Sequence, residues 1–247
     1  MTGCAATAET APGAPELRAI TFDFWNTLVR LDETVGHQRR DGLAAVLAEH
    51  GRDLGLEAVE AALGYTRDRF DHHWRRNRQY VLDDAVADLL AVLGVEADDA
   101  LSAALRECWL AGGAAASVSL TEPALPSVLA ELRGRGLCLG IVCDTGLMPG
   151  IVLRGHLDRL GLSPFFTHLS FSDEVGVYKP AAGIFEDAFV GLGVTGAEAL
   201  HVGDLHRTDV LGGRTVGARV VRYRGAVDDP DAPAADPAPV IDSLTDL

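Results

Sequence analysis

The chain has 247 residues, 48% of them hydrophobic, and its 36 acidic and 21 basic side chains leave a formal charge of −15. Length and apolar content suffice for one large core with an insertion. The acidic balance excludes a general binder of nucleic-acid backbone, whose affinity comes from clustered Lys and Arg, but allows a small anionic substrate at a locally positive site.

No apolar run approaches the roughly 18 residues that cross a bilayer, and Met1 to Pro15 lack the basic and apolar regions of a signal peptide. Cys4, Cys108, Cys138 and Cys143 show neither metal-ligand spacing nor a disulfide framework, and they read as reduced thiols. The expectation is a cytoplasmic protein, monomer or homodimer, with no membrane or nucleic-acid partner.

Residues 1–16 are rich in Ala, Thr, Gly and Pro without periodicity, and are expected to form a disordered arm. The run Ala19-Ile20-Thr21-Phe22 then ends on Asp23 and breaks into a polar turn at Trp25-Asn26-Thr27. A strand apolar on both faces belongs in a covered parallel sheet, where strand ends receive ligands. Asp23 alone would equally suit a turn or a helix cap. From Thr34 to Ala116 the pattern is helical, with stops expected at Gly51, Gly94 and Gly112-Gly113. No strand pattern interrupts it, so residues 33–118 read as an inserted all-helical cap domain.

From Thr121 helix and strand alternate. A helix over residues 122–133 leads into Leu137–Cys143, and further strands are expected at Phe165–Phe171, Leu200–Asp204 and Ala218–Arg222, with Val240-Ile241 as a last edge strand. That alternation predicts an α/β fold with a doubly wound parallel sheet built from residues 17–32 and 119–247.

Four polar marks punctuate this core: Asp23; Cys143-Asp144-Thr145; Lys179 before Pro180; and Gly203-Asp204 with Asp209 five places on. Their order and spacing, from about Leu17 to Arg222, resemble the haloacid dehalogenase-like hydrolase superfamily, whose members commonly insert a helical cap between the first and second marks of a Rossmann-like core. The resemblance implies that Asp23 is a nucleophile forming a covalent aspartyl intermediate and that Lys179 steadies the charges. It also implies that Asp23, the Trp25 backbone carbonyl and Asp204 bind Mg²⁺, with Asp209 orienting a metal-bound water. The chemistry is coherent: a carboxylate splits one displacement into two easier ones, and Mg²⁺ takes one or two carboxylates together with water and phosphate oxygens.

Two departures leave the reaction open. The family's phosphatases carry a second Asp two places after the nucleophile, as acid and base. Here that residue is Trp25, whose indole donates a hydrogen bond but shuttles no proton at neutral pH. Its dehalogenases carry an aromatic residue there, yet work without metal and differ in the fourth motif. The usual Ser or Thr donor of the second motif is Cys143, either a weaker donor or a packed core thiol, with Thr145 as the substitute donor and Asp144 as a substitute base. His206 is a further candidate proton carrier. The basic and aromatic stretch from Arg67 to Tyr80 is either a solvated face or a grip for a substrate anion, with Phe70 and Trp74 in the cap core. The sequence thus favours a magnesium-dependent phosphatase of a small phosphorylated metabolite. A 2-haloacid dehalogenase and a catalytically degenerate binding protein stand as alternatives.

Overall fold

A computed structural model describes residues 15–32, 35–236 and 238–247. The expected arm up to residue 14, with Cys4, lies outside the described residues. In chain order the elements are β1 (Ala19–Phe22), β2 (Val29–Leu31), α1 (Val35–Glu49), α2 (Leu56–Trp74), α3 (Leu82–Leu93), α4 (Asp99–Ala115), β3 (Val118–Leu120), α5 (Leu125–Gly134), β4 (Cys138–Cys143) and α6 (Gly150–Arg159). Then follow β5 (His168–Phe171), α7 (Ser172–Val175), α8 (Ala182–Leu192), β6 (Ala199–Gly203), a π-helical turn (His206–Val210), α9 (Leu211–Thr215), β7 (Arg219–Tyr223) and β8 (Val240–Ile241).

The chain divides into two compact units. The first, residues 1–30, 119–144 and 157–247, holds a parallel six-stranded sheet in the order β5-β4-β1-β6-β7-β8. Every residue of β1 and β4 is buried, as expected of strands covered on both faces. On one side α8 lays Ile184, Phe185, Ala188 and Phe189 against Val142, Ala199 and Ala218. The chain builds outward from β1 to β4 and β5, then returns across β1 to β6. The reversal of strand order therefore falls between β1 and β6, where open α/β sheets bind ligands at their carboxyl ends.

The second unit, residues 31–118 and 145–156, packs α1–α4 around Trp109, Tyr80, Leu43, Leu89 and Leu105. The Tyr80 hydroxyl, buried with its ring, donates to Asp88 Oδ2 at 2.9 Å, and the Trp109 indole donates to the Leu147 carbonyl at 3.1 Å. This second bond ties residues 145–156 to the helices, although they follow β4 in sequence.

Gly51 and Gly94 adopt positive φ just past α1 and α3, as helix stops do. Gly112 and Gly113 do not stop a helix, because α4 runs through them. There Gly113 packs against Met148 and Val152, each at ordinary contact, 3.5 Å from where a Cβ of Gly113 would lie. His156 Nε2 meets the Gly113 carbonyl at 3.1 Å. Tertiary packing overrides the local stop signal. The two-stranded pairing of β2 with β3 was also absent from the sequence pattern, since three residues are too few to show a period. Cys108 and Cys143 are free, but Cys138 is disulfide-bonded, which corrects its reading as a reduced thiol. Among the described residues no helix is long and apolar enough to cross a membrane.

Candidate active site

Asp23 follows β1 directly, and its amide donates to the Val202 carbonyl of β6 at 2.8 Å. The chain then turns sharply: Leu28 and Val29 amides both donate to the Phe24 carbonyl, Asn26 donates to Val29, and Asn26 takes φ 57°, a left-handed conformation that Asn tolerates better than most residues. Trp25 is half-buried, edge-on to Phe24 at 4.8 Å between ring centres.

Asp204 follows β6, and Asp209 lies in the π-helical turn beyond it. Gly203 is required between them, because a Cβ there would lie 2.3 Å from Asp209 Cγ. Lys179, before a cis bond to Pro180, reaches both flanks: Nζ donates to Asp23 Oδ1 at 2.5 Å and to Asp209 Oδ1 at 2.6 Å. Asp144, after β4, accepts the Lys179 backbone amide at 2.9 Å and so fixes the loop that carries the ammonium.

Asp23, Lys179, Asp204 and Asp209 are all buried, none more than 6% exposed. Burial pushes the Asp23 carboxyl up to about 7, with Lys179 pulling against that rise and Asp209 adding to it. Burial likewise raises Asp204 to about 8, reinforced by the charges of Asp23 and Asp209. Burial opposes ionisation of Asp209 as well, but Lys179 and the His201 bond outweigh it and hold the group below the usual carboxylate range. For Lys179 the cost of burial is overcome by Asp209 and Asp23, which keep the ammonium charged. Three buried carboxylates thus stand near one ammonium, which bonds two of them, Asp23 and Asp209.

Asp209, grouped with the metal site as the residue that orients a metal-bound water, has both oxygens engaged. Oδ1 accepts from Lys179 and from His201 Nε2 at 3.0 Å, while Oδ2 accepts from the Leu205 amide at 3.1 Å and Thr208 Oγ1 at 3.0 Å. Asp204 carries a weaker contact, Asn26 Nδ2 at 3.5 Å from Oδ2. Asp23 and Asp204 are therefore the hard oxygen donors with capacity to spare. Among the described residues no group of three or more His, Cys, Asp or Glu is arranged to hold a metal by itself. A two-carboxylate set instead suits a cation that keeps water and substrate oxygens in its shell.

Cys143 ends β4 fully buried, and burial with the Asp23 charge keeps it a thiol. Thr145 is buried in the second unit. His206 is held by the acidic segment that follows β7, its amide on Asp229 Oδ2 at 2.8 Å and its ring 3.5 Å from Asp236 Oδ1. In the second unit Arg69 pairs with Asp88 at 3.2 Å, and Arg67 with Glu60 at 3.4 Å. Phe70 stacks on Trp74 at 6.5 Å and packs against the core of that unit. The sequence reading missed His201. Its signal was an imidazole inside an apolar strand four residues from the turn that holds Asp209.

A family model described as haloacid dehalogenase-like hydrolase matches residues 17–217, and the chain belongs to that family of hydrolases. It is 28% identical over 215 residues to a glyceraldehyde 3-phosphate phosphatase of Methanopyrus kandleri, covering 84% of each chain. It is 37% identical over 112 residues to a phosphoserine phosphatase of Thermus thermophilus, 44% of each. Among solved structures, a 2-haloacid dehalogenase of Pseudomonas syringae shares the fold with TM-score 0.65 at 23% identity, over 93% of this chain and 95% of that one.

Removing one member of a buried ion pair strands its partner, at about 3–5 kcal/mol. Lys179→Met should therefore lower unfolding stability by about that amount, and adding Asp209→Asn should restore part of the loss, because the stranded charge goes with it. Urea unfolding of the two proteins measures this. Strictly additive losses would show that Lys179 and Asp209 are not coupled.

Proposed function

We propose that this hydrolase is a phosphatase of a small phosphorylated metabolite, working through a covalent intermediate on Asp23. The observation that carries the reading is the charge balance of the site: Asp23 and Asp204 are buried carboxylates that one shared ammonium does not neutralise. Relatives along most of the chain are named phosphatases, which supports the same choice.

In the first step an Asp23 oxygen attacks phosphorus, an acyl phosphate forms, and the ester oxygen leaves with the bonding electron pair. In the second, water attacks the same phosphorus, the Asp23 carboxylate leaves, and phosphate departs as the water gives up its proton. Lys179 holds Asp23 as an anion aimed by its hydrogen bond and offsets charge as the phosphoryl group approaches. Asp209 positions Lys179. Bound by Asp23, Asp204 and the Trp25 carbonyl, Mg²⁺ would supply the remaining positive charge where two anions meet.

Trp25 stands where a carboxylic acid would protonate the leaving oxygen. The missing proton transfer is worth roughly two to four orders of magnitude in rate, and it falls hardest on alkyl esters, whose leaving alkoxides are basic. Aryl and acyl phosphates leave without help. The same residue favours a second reading, 2-haloacid dehalogenation, because halide needs no proton.

Two outcomes follow. Added Mg²⁺ should raise the melting temperature of the wild type but not of Asp204→Asn, since a ligand stabilises the state that binds it; equal shifts in both would dismiss the metal assignment. Trp25→Asp should raise turnover of an alkyl phosphate far more than of an aryl phosphate. A folded variant without that selectivity would place the proton donor elsewhere, with Asp144 and His206 next to be substituted. Halide release from 2-haloacids with every phosphate ester refused would overturn the phosphatase reading.

A further inference from the structure

Thr21 and His201 are register partners across the pairing of β1 with β6, and both are fully buried. Polar side chains inside such strands are costly unless their hydrogen bonds are made. Here they are: Thr21 Oγ1 lies 2.9 Å from His201 Nδ1, and His201 Nε2 lies 3.0 Å from Asp209 Oδ1. An ionised carboxylate oxygen accepts only, so Nε2 carries the hydrogen. The charged groups at this imidazole are Asp209 on one side and Lys179 beyond it, and the ammonium already neutralises the carboxylate. Burial holds the imidazole below its usual range, and a neutral ring that donates from Nε2 takes the Thr21 hydroxyl at Nδ1, 2.9 Å away. The Phe185 ring stands edge-on at 5.0 Å and 88°, an apolar wall against the imidazole.

We propose that His201, fixed by Thr21 as the neutral Nε2–H tautomer, is a positioning residue that sets Asp209 and, through it, the alignment of Lys179 on Asp23. Its kinetic consequence rests on the phosphatase reading; its tautomer does not. Four donors meet the two oxygens of Asp209, so the carboxylate has no freedom to rotate. On Oδ1 the imidazole and the ammonium share one oxygen. Without the imidazole, Oδ1 would be left to Lys179 alone and would draw the ammonium away from Asp23, leaving the nucleophile poorly oriented while substrate contacts elsewhere persist.

Imidazole nitrogen NMR on the wild-type protein tests the first half. The His201 signals should show a bare Nδ1 and a protonated Nε2 at neutral pH, and a protonated Nδ1 would overturn the proposal whether or not turnover is found. Steady-state kinetics on an aryl phosphate test the second. His201→Leu should lower kcat by roughly 10–100-fold, the scale on which supporting hydrogen-bond partners act, with KM nearly unchanged. His201→Gln, which keeps an N–H near the Nε2 position, should recover most of kcat, and Thr21→Val should lie between. Should His201→Leu not fold, the Gln and Val variants decide alone. Unchanged kcat in folded His201→Leu, a kcat in His201→Gln no better than that of Thr21→Val, or a loss in Thr21→Val that appears in melting temperature but not in kcat, would reduce His201 to a structural residue.

Discussion

The site depends on one ammonium shared by two carboxylates. Lys179 is 2% exposed, and its two acidic partners come from different segments, Asp23 from the end of β1 and Asp209 from the turn after β6. A charge so buried survives only with close partners that are themselves hydrogen-bonded. The structure meets this condition unequally. Asp209 receives four donors and holds its charge firmly, whereas Asp23 is the looser partner whose carboxyl burial pushes toward neutrality. That asymmetry separates a fixed counter-ion from a carboxylate freer to leave its partner, as the proposed attack by Asp23 requires.

Sheet topology makes the arrangement possible. Asp23, Asp144 and Asp204 directly follow the neighbouring strands β1, β4 and β6, and strand order reverses between β1 and β6, where open α/β sheets bind ligands. Small local requirements follow from this crowding: a glycine at 203 because Asp209 occupies the space of a side chain, and a left-handed Asn26 because the chain must turn away at once after Asp23. Each is a backbone solution to the problem of bringing charges together at the carboxyl ends of apolar strands.

Much of this was legible in the sequence. The central strands announce themselves because burial on both faces leaves no carboxylate until the strand ends, so Asp23 and Asp204 mark the strands and their carboxyl ends. Fold class and family followed from the order of those marks. What was not legible depends on tertiary contact. Gly112-Gly113 carry a stop signal that Met148 and Val152 overrule, and residues 145–156 join the helices only through bonds such as Trp109 to Leu147. Cys138 is bonded although the cysteine spacing gives no framework. His201 looked like one more strand residue, because its meaning lies in Thr21 across the sheet and Asp209 beyond the next turn.

In the proposed reading Trp25 narrows the chemistry without touching Asp23, so the central claim is attack by Asp23 on phosphorus. Its most direct test is an acid-quenched single turnover of a phosphate ester in heavy-oxygen water, with mass spectrometry of the peptide containing Asp23 and of the released phosphate. The account predicts a transient phosphoryl group on Asp23, solvent oxygen in the phosphate and none in the Asp23 carboxylate. Solvent oxygen built into the Asp23 carboxylate, or turnover in which Asp23 is never modified, would contradict it.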